Sequence, residues 1–447
     1  MMDTQTLYDL DIFPRDAVGR SVYEMIHCFT LTTGGKEALQ KRMLQPDFDA
    51  SEVRQAQQTV RFLLQHLAAW KQSFSAQEMK YLEEYFHSNL TPLEEVDALH
   101  RWWYRWQYAS DYAFIQSSIQ RVAVFIRKLF AFVDMPGHQA AEILNDVHRI
   151  CDSLYTADQN GWLTAAADHT LNSHQVFYLD HFIRVLHKTQ FISLLQAFYT
   201  LDALFACAEA TQVYHFTFPV LTDPGQKLEL RGLYHVFLPE GIRNDVYFDQ
   251  QHPFIFLTGP NMAGKSTLLK ACGIAVYLAH LGMGVPAREA VIPIFDALFT
   301  DIYITDRVEQ GYSYFFSEVR RIQELAEQLK AGKRMFILID EMFRGTNVRD
   351  AYDCSLAVAS RLAALHNSYT LFSSHLTELA HALQSVDTIR FCYFDASVRN
   401  QQPYFNYRLQ EGVSDVRLGQ VILRQQGVLD LLDQGIAVAR NEQDTTG

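Results

Sequence analysis

Apolar residues recur at helical spacing through the first half of the chain. The clearest stripe lies in residues 113–132, where Ile115, Ile119, Val122 and Ile126 follow one another at three- and four-residue intervals. The same spacing predicts helices at residues 34–44, 53–70 and, as one or two long helices, 176–213. Residues 1–218 hold only four of the twelve prolines, which permits long helices. The first half is therefore predicted to be all-α.

The second half changes to short runs that are apolar at every position. They lie at residues 254–257, 335–339 and 369–372, and each ends in polar or glycine-rich residues. Such strands are covered on both faces, as in a parallel α/β sheet. We also expect a helix at residues 266–281 and added strands at residues 391–394 and 405–409. The second half is therefore predicted to be an α/β domain.

One aromatic cluster stands apart from these patterns. Trp102, Trp103 and Trp106 lie next to Arg101 and Arg105. Stacking on nucleic-acid bases is one interpretation of such a cluster. Packing of the tryptophans against other helices is the interpretation that we favour, because large aromatic side chains dominate protein cores.

Composition narrows the class of protein without deciding its function. About half of the 447 residues are hydrophobic, and no apolar run reaches the length of a membrane span, so we expect no membrane segment and a cytoplasmic location. The six cysteines form no CxxC pair, which favours reduced, buried thiols. The net charge of −13 disfavours a protein that coats nucleic acid by electrostatics alone, but it leaves a local basic patch possible.

The first run ends in a loop that carries phosphate chemistry. Its residues fit the pattern G-x-x-x-x-G-K-[ST], in which glycines let successive backbone N–H groups surround a phosphate. Lys265 is expected to reach the β- and γ-phosphates of ATP, and the Ser266 hydroxyl to bind Mg²⁺. The candidate ATP-binding residues are Gly259, Pro260, Asn261, Met262, Ala263, Gly264, Lys265, Ser266 and Thr267.

Acidic and imidazole side chains end the other two runs. Asp340 is expected to hold Mg²⁺ together with Ser266, and Glu341 to polarise the attacking water. His375 follows the third run. A lone histidine is usually structural, but ends of parallel strands converge on one edge of a sheet, where His375 could meet the γ-phosphate or that water. The segment Gly311–Glu318, by contrast, indicates only an aromatic turn that leads into a helix.

These motifs resemble those of the MutS DNA mismatch-repair ATPases, a branch of the ABC ATPase superfamily. Thr258–Thr267 looks like that family's TGPNMGGKST, with Ala263 in place of one glycine. Asp340–Thr346 looks like its DEIGRGT, with Phe343 in place of a glycine. Ser373–His375 is similar to its ATH switch.

The resemblance extends to the rest of the chain. Gly311–Glu318 resembles the family's GRSTFxxE loop, which implies that Ser313 reaches ATP bound by the other subunit. Phe29–Leu39 and Leu201–Glu209 resemble the family's helical lever. Glu411–Gly419 resembles the turn before its C-terminal dimerisation helices. Asp350 matches its D-loop aspartate, which lies at the subunit interface.

The resemblance implies a multidomain homodimer. Residues 1–218 would form an all-α lever or core domain, and residues 219–447 an α/β P-loop ATPase domain with C-terminal dimerisation helices. Each composite site would use ATP and Mg²⁺ and take Ser313 from the partner. The family's mismatch-reading domain is expected to be missing, and its clamp domain missing or shortened.

The differences between this sequence and the family's pattern lead to two further expectations. Gly241 stands where many members have an adenine-stacking aromatic, so the purine is expected to contact Ile242 or Phe248 instead. A DNA-repair or recombination ATPase without the mismatch reader would sense branched or distorted DNA rather than one mispair, with other repair proteins as possible partners. The alternative is an ATP-switched scaffold that binds a protein and not DNA, which the net charge of −13 favours.

Overall fold

The computed structural model describes residues 3–15, 19–46, 49–94, 96–302, 314–399, 402–414, 423, 425 and 427–445. The chain divides into two compact units. The helical unit contains residues 21–215 and 280–283, and the α/β unit contains residues 1–20, 216–279 and 284–447. The first helix, α1 (Thr4–Asp9), thus belongs to the α/β unit, whereas the sequence assigned it to the helical domain. The functional roles of the two expected domains stay predictions.

Helices make up the described secondary structure of the helical unit. A 3-10 turn (His138–Ala140) precedes α9, and a π-helical segment (Phe182–Leu186) separates α11 from α12. The helices are α2 (Val22–His27), α3 (Thr33–Leu44), α4 (Ala50–Gln65), α5 (Leu67–Ser73), α6 (Ala76–Phe86), α7 (Ala98–Gln107), α8 (Ala109–Val133), α9 (Glu142–Ala157), α10 (Trp162–Ala166), α11 (Ser173–His181) and α12 (Lys188–Val213).

The helix expected at residues 53–70 is interrupted. α4 ends at Gln65 and α5 begins at Leu67, with His66 between them. His66 Nδ1 lies 2.8 Å from the Phe62 carbonyl oxygen, so the side chain forms a hydrogen bond with a carbonyl group at the end of α4. Helical periodicity continues across a break of this kind, because both helices turn an apolar face to the same core.

A buried carboxylate joins the two ends of the helical unit. Asp202 on α12 accepts hydrogen bonds from the backbone N–H groups of Leu31 and Thr32, both at 2.9 Å, and from the Thr32 hydroxyl at 2.7 Å. Thr32 also caps α3 by accepting from the Gly35 N–H. A Cβ at Gly35 would lie 2.0 Å from Asp202 Oδ2, so this contact requires glycine.

The core of the helical unit is aromatic. Trp70 is fully buried and stacks on Phe198 and Phe205 of α12, with ring centroids 5.2 and 5.3 Å away. By length and composition alone α12 could cross a membrane, but 67% of its most apolar window is buried inside the protein. It is a core helix of this unit.

The three tryptophans of α7 contradict the predicted packing. Trp102, Trp103 and Trp106 are 63%, 49% and 71% exposed, and no residue of α7 is buried. Tyr104 makes an edge contact with Phe177 of α11, so α7 rests on its neighbours through its opposite face.

The described residues of the α/β unit form two sheets. A four-stranded sheet has the order β1-β5-β2-β3, and a six-stranded sheet has the order β10-β9-β4-β8-β7-β6. Its elements are β1 (Val220–Thr222), β2 (Leu228–Leu233), β3 (Asn244–Phe248), β4 (Phe254–Thr258), α13 (Lys265–His280), β5 (Glu289–Pro293), β6 (Ala297–Asp301), α14 (Tyr314–Lys330), β7 (Met335–Asp340), α15 (Val348–Leu362), β8 (Tyr369–Ser373), α16 (Thr377–Leu383), β9 (Ile389–Arg399), β10 (Gln402–Glu411) and α17 (Val428–Thr445).

The predicted apolar runs form the centre of the six-stranded sheet. β4, β7 and β8 are buried at every residue, and β8 pairs with both of the others in parallel. Only the outermost pair, β9 with β10, is antiparallel. The carboxyl ends of β4, β8 and β7 therefore lie side by side, which confirms the expected α/β arrangement.

Residues of α1 bind the outer strand β6. Asp9 accepts from the Thr300 hydroxyl at 2.7 Å and from the Ile302 N–H at 2.9 Å. Asp301 between them is buried, and its Oδ1 has no hydrogen-bond partner. Burial, partly opposed by Arg321 and reinforced by Asp9, raises the pKa of Asp301 to about 7. The contact between α1 and β6 thus places a titratable acid inside the α/β unit.

Candidate nucleotide-binding site

The loop between β4 and α13 has the backbone of a phosphate-binding loop. Gly259 and Gly264 have φ of +141° and +104°, values that glycine adopts without strain. A Cβ at Gly259 would also lie 2.9 Å from the Phe394 carbonyl. Ala263, which replaces a family glycine, is buried and keeps φ outside the left-handed region, so a methyl group fits there. Alanine in place of glycine at this position therefore does not disturb the loop.

Lys265 lies across this loop. Its Nζ donates to the carbonyls of Gly259 at 2.8 Å and Pro260 at 3.3 Å, and it is 3.6 Å from Glu341 Oε1. Burial lowers the pKa of Lys265, while the carboxylates of Glu341 and Asp340 oppose that shift. The ammonium group is thus held where the loop would surround a phosphate.

Ser266 and Asp340 form a second contact across the site. The Ser266 hydroxyl donates to Asp340 Oδ2, while Asp340 Oδ1 is buried without a hydrogen-bond partner. These hard oxygens suit Mg²⁺, which takes one or two protein ligands and completes its shell with water and phosphate. In the described part of the chain, no group of three or more His, Cys, Asp or Glu side chains is arranged to hold a metal ion by itself.

Glu341 is surrounded by positive and hydrogen-bonding groups. Its Oε2 is 3.5 Å from His375 Nδ1 and 3.4 Å from Arg344 Nε. Burial raises its pKa, but the hydrogen bond with His375 and the charges of Arg344 and Lys265 outweigh that effect and lower the pKa to about 2. Its φ of 59° is left-handed, a strained conformation typical of functional sites. The structure therefore brings together the acid and the histidine that the sequence singled out.

Arg344 and Glu318, for which the sequence predicts no role, hold the turn after β7 in place. Arg344 donates through Nη2 to the Asp340 carbonyl at 2.6 Å and through Nε to the Glu341 carbonyl at 3.0 Å. Glu318, 1% exposed near the start of α14, accepts from the N–H groups of Arg344 at 3.1 Å and Gly345 at 3.4 Å. Both residues lie in the motifs quoted above, so their positions, but not these contacts, were available from the sequence.

A cavity of about 900 Å³ adjoins the loop. Ile242 lines it, as expected, and so does Gly241. Phe248 is instead fully buried and packs between Phe336 and Tyr369, which excludes it from the purine contact. The cavity is lined by Leu233, Tyr234, His235, Phe237, Leu238, Pro239, Glu240, Gly241, Ile242, Asn244, Pro260, Asn261, Met262, Gly264, Lys265, Ser266, Thr267, Leu268, Ala271, Ile302, Asp340, Glu341, Arg344, Phe394 and Tyr407.

Tyr407 supplies an aromatic ring that the sequence did not indicate. Its ring lies next to Gly264, where an added Cβ would be 3.5 Å from the ring. Its φ is 52°, and the pairing of β10 with β9 shifts register between Phe405 and Leu409. Asn244 fixes this bulge by donating to the Tyr407 carbonyl at 3.0 Å and accepting from the Leu409 N–H at 2.8 Å. The bulge thus aims an aromatic side chain at the cavity.

The remaining predicted site residues are placed as follows. Asn261, Met262 and Thr267 are exposed on the loop or at the start of α13. Asp350 is exposed in the first turn of α15, where Asn347 caps the helix. Ser313 lies outside the described residues.

Comparison with known proteins finds relatives for this part of the chain. Residues 255–437 match the family model described as MutS domain V. Curated proteins named DNA mismatch repair protein MutS match about half of the chain: the one from Thermotoga maritima is 28% identical over 248 residues, and the one from Thermosipho melanesiensis 30% identical over 242 residues. This part of the chain is therefore similar to MutS proteins, and in particular to their domain V.

The match covers only part of each MutS relative. It spans 55% of this chain and 31% of the Thermotoga maritima protein, and 53% of this chain and 29% of the Thermosipho melanesiensis protein. In the MutS family, domain V is the ATPase domain. The glycine loop, Asp340, Glu341 and His375 all lie within the matched residues.

Proposed function

We propose that this chain is a Mg²⁺-dependent ATPase of the MutS type, which hydrolyses ATP at composite sites of a homodimer and acts on DNA in mismatch repair or recombination. The observation that carries the proposal is the convergence of Lys265, Ser266, Asp340, Glu341 and His375 on the carboxyl ends of three adjacent parallel strands. Ligands bind at this edge of open α/β sheets.

Each group has a task in binding the triphosphate. Backbone N–H groups from Asn261 to Thr267 would surround a phosphate, and the start of α13 adds its positive dipole end. Lys265 Nζ would exchange its two carbonyl contacts for phosphate oxygens. Ser266 and Asp340 would hold Mg²⁺, whose charge neutralises the β- and γ-phosphate oxygens.

Glu341 and His375 suit the hydrolytic step. Water attacks the γ-phosphorus, the bond to the bridging oxygen breaks, and ADP and phosphate leave. Glu341 is ionised and would accept a hydrogen bond from that water, while His375, 3.5 Å away, orients the carboxylate. When Lys265 turns to the phosphates, Glu341 loses one of the charges that lower its pKa and becomes a better proton acceptor.

The base is assigned to the apolar part of the cavity. Tyr407, 45% exposed at its mouth, would stack on the purine in place of the aromatic missing at Gly241. Ile242 lies on the same cavity wall.

The homodimer rests on the family resemblance and on one feature of the C-terminal helix. α17 exposes Leu429, Leu432 and Ile436, which recur at helical spacing on one face and are 42% to 59% exposed. An apolar helix face of this kind supports the proposed C-terminal dimerisation. Ser313 would then complete the partner's site.

ATP turnover by the purified chain tests the enzyme. Lys265→Ala should abolish ATP binding, and Glu341→Gln should bind ATP but lower kcat by about 10²–10⁴-fold. Arg361→Ala, on exposed α15 surface away from the cavity, is the matched control and should turn over normally. Unchanged kcat in Glu341→Gln contradicts the assigned role.

Mixing two inactive variants tests the composite site. Ser313→Ala and Lys265→Ala dimers each lack a working site, but a mixed dimer keeps one site with both side chains. Random exchange of subunits should therefore restore about a quarter of wild-type turnover, as a two-fold dimer requires. Turnover that stays at the level of the separate variants argues that Ser313 acts within its own subunit or not at all.

Two candidate roles of the ATP cycle remain: this chain binds DNA, or it is an ATP-switched scaffold that binds a protein partner. Gel shifts with homoduplex, mismatched and four-way-junction DNA, with and without ATP, compare them directly. Binding that falls steeply with salt supports DNA, because phosphate contacts release counterions. No binding at low salt would leave the scaffold, which the net charge of −13 favours.

A further inference from the structure

Helix α1 contacts three of the elements that surround the nucleotide site, and the proposed ATPase cycle gives it no role. Asp11, just after the helix, pairs with Lys270 of α13 at 2.5 Å. The Thr6 hydroxyl accepts from Arg321 of α14 at 3.1 Å and from the backbone N–H of Thr300 in β6 at 3.2 Å. All four elements belong to the α/β unit, so α1 is part of the unit that would bind ATP.

Asp9 holds the carboxyl end of β6. It is fully buried, and its Oδ2 accepts from the Thr300 hydroxyl at 2.7 Å and from the Ile302 N–H at 2.9 Å. Its other oxygen, Oδ1, accepts from the Gln5 amide at 2.8 Å. A buried carboxylate resists the loss of such partners, because water does not replace them. Asp9 therefore fixes the chain on both sides of Asp301, the last residue of β6.

The segment that Asp9 fixes is a wall of the nucleotide cavity. Ile302 is buried and lines that cavity together with Leu268 and Ala271 of α13. The last residue of β6 pairs with Ile339 of β7, one residue before Asp340. The end of β6 therefore lies beside both the apolar wall and the acidic strand end of the site.

We propose that Asp9 is a positioning residue of the nucleotide site, which keeps Ile302 and the end of β6 in the conformation that binds nucleotide. This role rests on the proposed ATPase function, since it concerns the same site. Asp9 would not touch the nucleotide, because its carboxylate is buried against β6. It should act on nucleotide affinity rather than on the hydrolytic step, since Glu341 and His375 follow β7 and β8, which pair with each other.

Binding of ADP to the full chain, measured by calorimetry, tests this role without turnover. In Asp9→Ala the Ile302 N–H and the Thr300 hydroxyl lose their acceptor, so the end of β6 should relax and only a fraction of the molecules should keep the binding conformation. The apparent Kd rises by the reciprocal of that fraction, and we expect a roughly tenfold increase. KM for ATP should rise similarly, with kcat within about twofold of wild type.

Asp296→Ala is the matched control, because Asp296 precedes the opposite end of the same strand. Its carboxylate accepts from the Arg334 backbone N–H and Nε, both at 2.8 Å, and from Nη2 at 2.7 Å. The substitution should increase hydrogen exchange of the β6 amides, as Asp9→Ala does, but it should leave the Kd for ADP unchanged. The control thus separates a loss of strand stability from a loss of positioning.

Two milder variants follow the hydrogen bonds themselves. Asp9→Asn keeps one oxygen that can accept from both Thr300 and Ile302, while the Gln5 amide can turn its oxygen to the new NH2 group, so the Kd should lie within about twofold of wild type. Thr300→Val removes one of the two bonds to Asp9, keeps a β-branched side chain, and should raise the Kd roughly threefold. This variant measures the same contact if Asp9→Ala does not fold.

The results distinguish this role from the proposed function. A wild-type chain that binds neither ADP nor ATP overturns the ATPase function and the role of Asp9 with it. If wild type binds ADP, and Asp9→Ala binds it as tightly as Asp296→Ala does, the role of Asp9 is overturned and the ATPase function stands. A Kd for Asp9→Asn as high as that for Asp9→Ala also overturns the role, because the hydrogen bonds would then not be the cause.

Discussion

Phe343 offers a test of backbone strain beside Glu341, the proposed catalytic acid. It stands where the resembling family has glycine, its φ is 60°, and its side chain is 4% exposed against Phe315, with ring centroids 5.7 Å apart. A left-handed backbone costs a residue with a Cβ about 1–2 kcal/mol. Burial of the ring opposes that cost, because replacing a buried Phe by Ala loses about 3–5 kcal/mol.

Comparison of Phe343→Ala with Phe343→Gly isolates the strain. Both variants lose the ring, but only glycine adopts the left-handed backbone conformation without strain. Glycine costs roughly 0.5–1 kcal/mol more chain entropy than alanine, so the glycine variant should be more stable by roughly 0.5–1 kcal/mol. At Gln323, an exposed position inside α14, the same pair should show the opposite order, with alanine more stable.

Hydrogen exchange suits this measurement. All five tryptophans lie in the helical unit, so fluorescence does not follow the α/β unit, whereas the amides of β7 and β8 do. Their opening free energy should rank wild type first, then Phe343→Gly, then Phe343→Ala. If alanine is the more stable residue at both positions, the left-handed conformation carries no cost and the reasoning fails.

Three further predictions follow from single contacts. The free energy of unfolding should fall as pH rises from 4 to 7, because the native state keeps the proton of Asp301 to about pH 7 while the unfolded state loses it near pH 3.8. Asp301→Asn should therefore make the melting temperature less dependent on pH between pH 5 and 8. Gly35→Ala should lower the free energy of unfolding by about 2 kcal/mol or more, seen by tryptophan fluorescence, since the new Cβ meets Asp202 at 2.0 Å. Tyr407→Ala should raise KM for ATP about five- to tenfold through lost stacking, while Tyr404→Ala, similarly exposed on the same strand, should not.

The central sheet was predictable because its physics is local. β4, β7 and β8 are buried at every residue because both faces of the sheet are covered, and their sequences are correspondingly apolar. The phosphate-binding loop was predictable for a similar reason, as its glycines and Lys265 act within nine residues.

Other features depend on partners that are remote in sequence. The spacing of the α7 tryptophans describes a helix face but does not say what covers it, so the predicted packing was wrong. Asp9 binds β6 some 290 residues away, which no local pattern reports. Tyr407 reaches the cavity only because Asn244 holds a bulge in β10.

The contacts of Glu318 connect α14 to the turn after β7. Its buried carboxylate holds the backbone of Arg344 and Gly345, and Arg344 in turn contacts Glu341. α14 begins at Tyr314, directly after Ser313, which we propose to act on the partner's ATP. A shift of α14 that brings Ser313 to the partner would therefore also move the turn that positions Glu341. Since a buried carboxylate with two N–H donors resists separation from them, helix and turn should move as one body, which couples the two sites of the proposed dimer.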